Sequence, residues 1–168
     1  VLYAIARSGS AIRHVSERLR ADPDIIFEAT KRQARALCFA LGPAATNRDL
    51  VIKCIVANPH CLQYANDTFR ADVELICLAV SKCFRTFKYA SLEMRRCPKV
   101  IHRVLKVDGR ALRDVENATI TRSMVLEAVY QNGLALKYAP DHFRDDRRIA
   151  LVAVKKRGIA LRYVSDRL

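Results

Sequence analysis

Two kinds of residue recur in this sequence at a spacing that could do chemistry. Arg13, Lys88, Arg113, Lys137 and Arg162 succeed one another at intervals of 75, 25, 24 and 25 residues, and Tyr64, Tyr89, Tyr138 and Tyr163 keep a column one residue further on. A row of cations can hold carboxylates or phosphates, and a tyrosine beside each cation could stack on an exposed base. A second basic column holds Arg20, Arg70, Arg95 and Arg144, and more cations stand at Lys31-Arg32, Lys82, Lys106 and Lys155-Lys156-Arg157. The chain carries 30 Lys plus Arg against 17 Asp plus Glu, a net charge of +13. Internal pairing cannot exhaust that excess, so a long-range field favours polyanions or acidic partners. A structural alternative exists for both columns. The tyrosine rings would close the groove between neighbouring units, and Arg20 and Arg70 would pair with Asp22 and Asp72 two residues on.

The other reactive side chains form no comparable pattern. His14, His60, His102 and His142 occupy four different positions, and there is no phosphate-binding loop, nucleophile elbow, H-E-x-x-H motif or paired-carboxylate spacing. No catalytic residue and no small-molecule substrate is expected, and the protein reads as a non-enzyme. Six cysteines, Cys38, Cys54, Cys61, Cys77, Cys83 and Cys97, contain no C-x-x-C pair, so neither a metal nor a cofactor is expected. Cys54, Cys61 and Cys77 take positions filled elsewhere by Ala, Thr, Leu or Phe, which reads as small buried hydrophobes. No disulfide pairing pattern is present, and a chain that is 51% hydrophobic needs no staples. A reducing, intracellular setting is expected, with the mitochondrion or plastid included. The longest apolar runs, 75–80 and 149–154 among them, are six residues each, against the roughly 18 to 20 that a membrane span requires.

The columns exist because the chain repeats itself. A small apolar residue inside an apolar cluster recurs at Ala4, Ala29, Cys54, Ala79, Val104, Ala128 and Ala153, in steps of 25, 25, 25, 25, 24 and 25. Five residues after each anchor stand Gly9, Ala34, Pro59, Phe84, Gly109, Gly133 and Gly158, which places four of the five glycines in one column. Asp22, Asn47, Asp72, Cys97 and Asp146 precede the apolar cluster, and Pro23 and Pro98 stand directly after two of them, the signature of a helix start. The cluster keeps i, i+3, i+4 spacing, as in Leu75, Ile76, Ala79 and Val80, and ends at a polar residue plus glycine, as in Asn132-Gly133. A first helix of about 10 residues is expected. A second, shorter apolar stretch (Ala135, Leu136, Ala139) predicts a shorter helix, and segments such as 67–70 and 141–144 predict one closing turn of 3₁₀ type.

Helices this short cannot hold alone, so each unit must bury its apolar face against its neighbours. The expected fold is all-α, an α-solenoid of about seven 25-residue helix-turn-helix units in a single array over residues 1–168. The sequence opens on Val1-Leu2-Tyr3 inside an apolar cluster and stops at Leu168 before a unit is complete, so the array is expected to be incomplete at both ends.

The run 126–146, with Ala128-Val129, Asn132-Gly133, Ala135-Leu136, Tyr138-Ala139 and Arg144-Asp145-Asp146, closely resembles the tandem repeats of the domain-of-unknown-function family 4116. The likeness is specific in the sixth and seventh units and degenerate in the second and fourth, where Ala34 and Phe84 replace glycine. Around 21–24 and 56–59 the chain also looks similar to the leucine-rich variant repeat, which alternates α and 3₁₀ helices. Both resemblances imply stacked short helices, and neither brings a catalytic motif. The function expected from the sequence is an interaction or scaffold subunit of a larger assembly, whose basic surface binds an acidic protein partner. The alternative is an RNA-contacting component of an organellar ribonucleoprotein such as a ribosome.

Overall fold

Six helices of ten residues arise from the apolar clusters among the described residues, 9–168 of this computed structural model: Pro23–Arg32, Arg48–Ala57, Val73–Lys82, Pro98–Val107, Arg122–Gln131 and Arg147–Lys156. The anchor Ala4 and the cluster around Val1 lie outside the described residues. Most starts are set by a side chain that accepts hydrogen bonds from backbone N–H groups lacking an intrahelical partner. Asp22 takes the N–H of Asp24 at 2.9 Å, Asn47 that of Leu50 at 2.9 Å, Asp72 that of Glu74 at 2.8 Å and Asp146 that of Arg148 at 2.9 Å. Cys97 makes no such bond. Its helix begins instead on Pro98, whose fixed φ is pre-set for the first helical position.

Each long helix ends on a residue with extended backbone, φ between −146° and −153°. Its N–H closes the helix on the anchor carbonyl, as Asn58 on Cys54 and Asn132 on Ala128, both at 2.8 Å. The same residue then caps the second helix of the repeat: Asn58, Asp108 and Asn132 accept from the N–H of His60, Arg110 and Leu134. This second helix is a six-residue 3₁₀ helix in every repeat, from Gly9–His14 to Gly158–Tyr163. The closing turn is α in most repeats, as in Asp67–Arg70 and Asp141–Arg144, and 3₁₀ at Asn117–Thr119. Helix types are thus exchanged relative to the sequence expectation. The cause is a three-residue period, Pro59-Leu62-Ala65, Phe84-Phe87-Ala90, Gly109-Leu112-Val115 and Gly133-Leu136-Ala139, which only a helix with about three residues per turn lays on one face. Leu62, Phe87, Leu112 and Leu136 are accordingly fully buried.

The glycine column has a different origin from helix termination. Among the described residues only Gly42 has a positive φ, 47°, so the column needs no left-handed backbone. It needs room. A Cβ at Gly9 would lie 2.6 Å from the carbonyl oxygen of Ala29. At Gly109 a Cβ would meet the backbone of Ala128, with C′ at 2.8 Å, Cα at 3.0 Å and the oxygen closer still. Gly133 stands in the same relation to Ala153. In these three repeats the start of the 3₁₀ helix therefore passes directly over the anchor of the next repeat, and the anchors Ala29, Cys54, Ala79, Val104, Ala128 and Ala153 are all fully buried.

The chain is an all-α helical-repeat protein, and its contacts gather into two compact units, Val1–Lys82 and Cys83–Leu168. Within each unit long helix packs on long helix and 3₁₀ helix on 3₁₀ helix in repeat order. Charged and polar ties run in the same order. In the first unit Arg48 bonds Asp72 at 3.1 Å and the Thr30 hydroxyl meets the Cys54 thiol at 3.2 Å. In the second, Arg122 bonds Asp146 at 2.8 Å, and the Gln131 amide accepts from the Gly109 N–H at 2.8 Å while donating to the Val107 carbonyl at 3.0 Å. No helix among the described residues is long and apolar enough to cross a membrane.

Candidate anion-binding face

The basic column lands at the exposed end of the 3₁₀ helices. In the second unit Lys88, Arg113, Lys137 and Arg162 occupy one position of Phe84–Tyr89, Gly109–Asp114, Gly133–Tyr138 and Gly158–Tyr163, four helices packed side by side in sequence. All four side chains are exposed, and none forms an ion pair among the described residues. The first unit has only Arg13 at that position, also exposed, its guanidinium 2.7 Å from the His14 ring nitrogen; Cys38 and Gln63 fill the equivalent places. An unbroken row of cations is therefore a property of the second unit.

The tyrosines lie one residue deeper and are half-buried. Tyr64, in the first unit, borders a small cleft of about 170 Å³ with Leu37, Val51 and Phe69. In the second unit the rings are already faced by the chain's own cations. Lys88 lies 5.0 Å from the centroid of Tyr89, and Lys137 lies 5.9 Å from those of both Tyr138 and Tyr163, so it sits between rings of successive repeats. Arg110 stacks on Phe84 at 4.6 Å while gripping Asp108 at 2.7 Å, and Phe84 lies 6.5 Å from Tyr138. Separations under about 6 Å are within the range of cation–π attraction. Beside the last tyrosine, Arg144, Arg162, Tyr163 and Arg167 line a cleft of about 670 Å³ together with Asp141 and Asp145.

Three members of the second basic column are tied locally, and Arg95 forms no ion pair among the described residues. Arg20 reaches Glu17 at 4.0 Å, Arg70 reaches Asp67 at 3.2 Å and Arg144 holds Asp141. These acids stand three residues before the arginine, and the cap Asp72 is taken by Arg48 of the preceding repeat. That contact matters for the carboxylate. Burial alone would push Asp72 up, but hydrogen bonds from Arg48 and from the N–H groups of Leu75 and Glu74 bring it below its usual range. Asp146 is lowered first by its bond from Arg122 and further by the N–H groups of Ile149 and Arg148.

One acid behaves in the opposite way. Asp114 ends the 3₁₀ helix Gly109–Asp114 at the position that holds tyrosine in four of the other six repeats. Burial pushes its carboxyl above the usual carboxylate range although the charges of Arg113, Lys88, Arg95 and Arg85 pull it down. Sequence reading missed this residue, and the only signal available was a break in the tyrosine column.

The cysteines and histidines make no nucleophilic or metal-binding arrangement among the described residues. Cys54 and Cys61 are fully buried, and burial raises both thiols, Cys61 to about 12; such thiols stay protonated and inert. Cys77, also expected to be buried, is half-buried. His102 pairs with Glu127 of the next repeat at 3.4 Å, and the His142 ring lies 4.0 Å from that of Phe143. Among the described residues no three potential ligands come together as a metal site.

The repeat just described is matched by the family model "Domain of unknown function (DUF4116)" over residues 1–41, 47–95 and 121–168. The chain belongs to this family. No curated protein and no solved structure matches it. Within this DUF4116 chain the stretches 42–46 and 96–120 are left unmatched, and the second of them contains Arg113 and Asp114.

Proposed function

We propose that this DUF4116 chain is a non-enzymatic interaction subunit that binds an acidic segment of a partner protein along the 3₁₀ face of its second unit. The observation that carries the reading is the row Lys88, Arg113, Lys137 and Arg162, four exposed cations on consecutive packed helices with no carboxylate in ion-pair contact among the described residues. Unpaired cations in register attract a partner with carboxylates in register and steer its approach. The aromatic neighbours support protein over RNA. Base stacking needs an open ring face, whereas Tyr89, Tyr138 and Tyr163 are half-buried and faced by Lys88 and Lys137.

The test compares a fluorescent oligo-glutamate peptide with an oligouridine of equal length, using wild type and the triple variant Arg113→Glu, Lys137→Glu, Arg162→Glu. The peptide should bind wild type and be lost from the variant, while helicity and melting stay intact, because exposed substitutions cost under about 0.5 kcal/mol each. Peptide binding unchanged by the triple reversal removes the stripe from the reading. Tighter binding of oligouridine, weakened by Tyr138→Ala and Tyr163→Ala and falling steeply with log salt, replaces the partner by RNA.

A further inference from the structure

We infer that the acidic partner of this face is amphipathic in blocks: acidic where it meets Phe84–Tyr89 and Gly109–Asp114, and mixed acidic and apolar where it meets Gly133–Tyr138 and Gly158–Tyr163. The inference rests on the reading of the face as a site for an acidic protein. In a 3₁₀ helix, residues three apart lie one above the other, about 6 Å along the axis. The second residue of each six-residue helix therefore stands in line with the fifth, which carries the cation row. Each helix offers a partner a ridge of two side chains.

The second position changes character along the unit. It holds Arg85, Arg110, Leu134 and Ile159 on four helices packed in sequence. Lys88 and Arg113 share their ridges with arginines, whereas Lys137 and Arg162 share theirs with apolar side chains. Arg110 grips Asp108 at 2.7 Å. Arg85 lies 5.8 Å from the Phe84 ring centroid with no carboxylate in ion-pair contact among the described residues, so the demand for acid is strongest at Phe84–Tyr89. Leu134 is half-buried and Ile159 is 56% exposed. Exposure at this position belongs to the ridge itself, because Arg35, His60, Arg85 and Arg110, with further repeats before and after them in the sequence, are exposed too.

A single exposed apolar side chain is ordinary on a protein surface. Two in register on packed neighbours, each beside a cation, form a patch whose burial is favourable and insensitive to salt, while the cations attract and steer. A nucleic-acid strand or an anionic lipid surface presents one charge along its whole length and makes no use of such a division. A peptide carries it in its side chains. An extended peptide advances about 3.3 Å per residue and packed helices lie about 8 to 10 Å apart, so each helix faces roughly three peptide residues and the two blocks are about six residues each.

The experiment titrates the whole chain by fluorescence anisotropy with three twelve-residue peptides: all glutamate, a block peptide of six glutamates followed by three Leu-Glu pairs, and an isomer of the block peptide with its leucines spread evenly. The block peptide should bind wild type about tenfold tighter than its isomer, the scale of covering one or two apolar side chains. The gap should persist at high salt, where contacts between exposed charges are screened. Leu134→Arg combined with Ile159→Arg, which gives the last two helices the pattern of the first two, should abolish the difference while the all-glutamate peptide binds as well as before or better, the sign that the fold is kept. Ile159→Arg alone, at an exposed position where arginine stands in the repeats of Arg35, Arg85 and Arg110, should narrow the difference without burying a charge. Equal affinity of block peptide and isomer for wild type, or a difference that neither variant changes, overturns the inference and leaves the face an acid-binding site. Failure of all three peptides to bind, with oligouridine or phosphatidylserine vesicles bound, overturns the reading of the face and the inference with it.

Discussion

Adding one methyl group at Gly109 tests the packing logic of the whole array. The Cβ of Gly109→Ala would come within 3.0 Å of Cα and C′ of Ala128 and closer to its carbonyl oxygen. All three are backbone atoms of the next long helix, so no flexible side chain can swing aside, and the two repeats must separate. Overpacking of a buried site costs about 1 to 3 kcal/mol, and contact with rigid backbone puts this case at the upper end. Against it stands a gain of about 0.4 to 1 kcal/mol, because alanine narrows the unfolded ensemble wherever φ is negative. The net loss is then about 2 kcal/mol. For a chain of this size a change of about 1 kcal/mol moves the melting temperature by about 2 to 4 °C, so Gly109→Ala should melt about 4 to 8 °C below wild type by circular dichroism. A melting temperature equal to that of wild type would refute the view that glycine is selected in this column for close approach.

Burial and charge give two further expectations. Leu136→Ala should cost about 2 to 5 kcal/mol as a cavity, because Leu136 is fully buried, whereas Val56→Ala, at a position 52% exposed, should stay within about 0.5 kcal/mol; urea unfolding that ranks them equal would show the register to be wrong. Asp146 has its carboxyl lowered by Arg122, so its contribution is fully present above the unfolded-state value and is lost as pH falls through the folded one. Melting temperature should therefore fall less between about pH 5 and pH 2 in Arg122→Gln than in wild type, and parallel falls would remove this pair from the acid sensitivity.

What the sequence made legible was whatever repeats. Anchors, caps and the cation row could be read because each occurs several times and chance does not keep a period, and Asp22, Asn47, Asp72 and Asp146 cap the helices they were expected to cap. The type of the second helix was harder. Ala135, Leu136 and Ala139 satisfy an α pattern, and a 3₁₀ pattern differs only in giving weight to Gly133, which has no side chain to be counted as apolar. Glycine itself misled for a related reason, since a residue that ends helices and a residue that admits a neighbouring backbone look the same in sequence. Only the approach of Gly109 to Ala128 separates them. Asp114 stayed hidden because the shift of its carboxyl depends on burial and on four cations drawn from three elements.

Charge segregation in the second unit has a source in the helices themselves. Acids favour helix N-termini and bases favour C-termini, each placement contributing about 0.3 to 1 kcal/mol through the helix dipole. Asp146 caps the start of Arg147–Lys156, Lys155 and Lys156 end it, and Lys88, Arg113, Lys137 and Arg162 stand in the last turns of the 3₁₀ helices. Stacking repeats in order converts that local preference into a basic face. Asp114 is the exception. It places an acid in the last turn of a 3₁₀ helix, half-buried, with an oxygen that no group among the described residues bonds. Dipole, desolvation and the tyrosine pattern of the other repeats all disfavour an acid there. Against that cost stand the charges of Arg113, Lys88, Arg95 and Arg85, which pull the carboxyl back toward its ionised form, so the basic face holds the acid that the local preferences of the repeat reject.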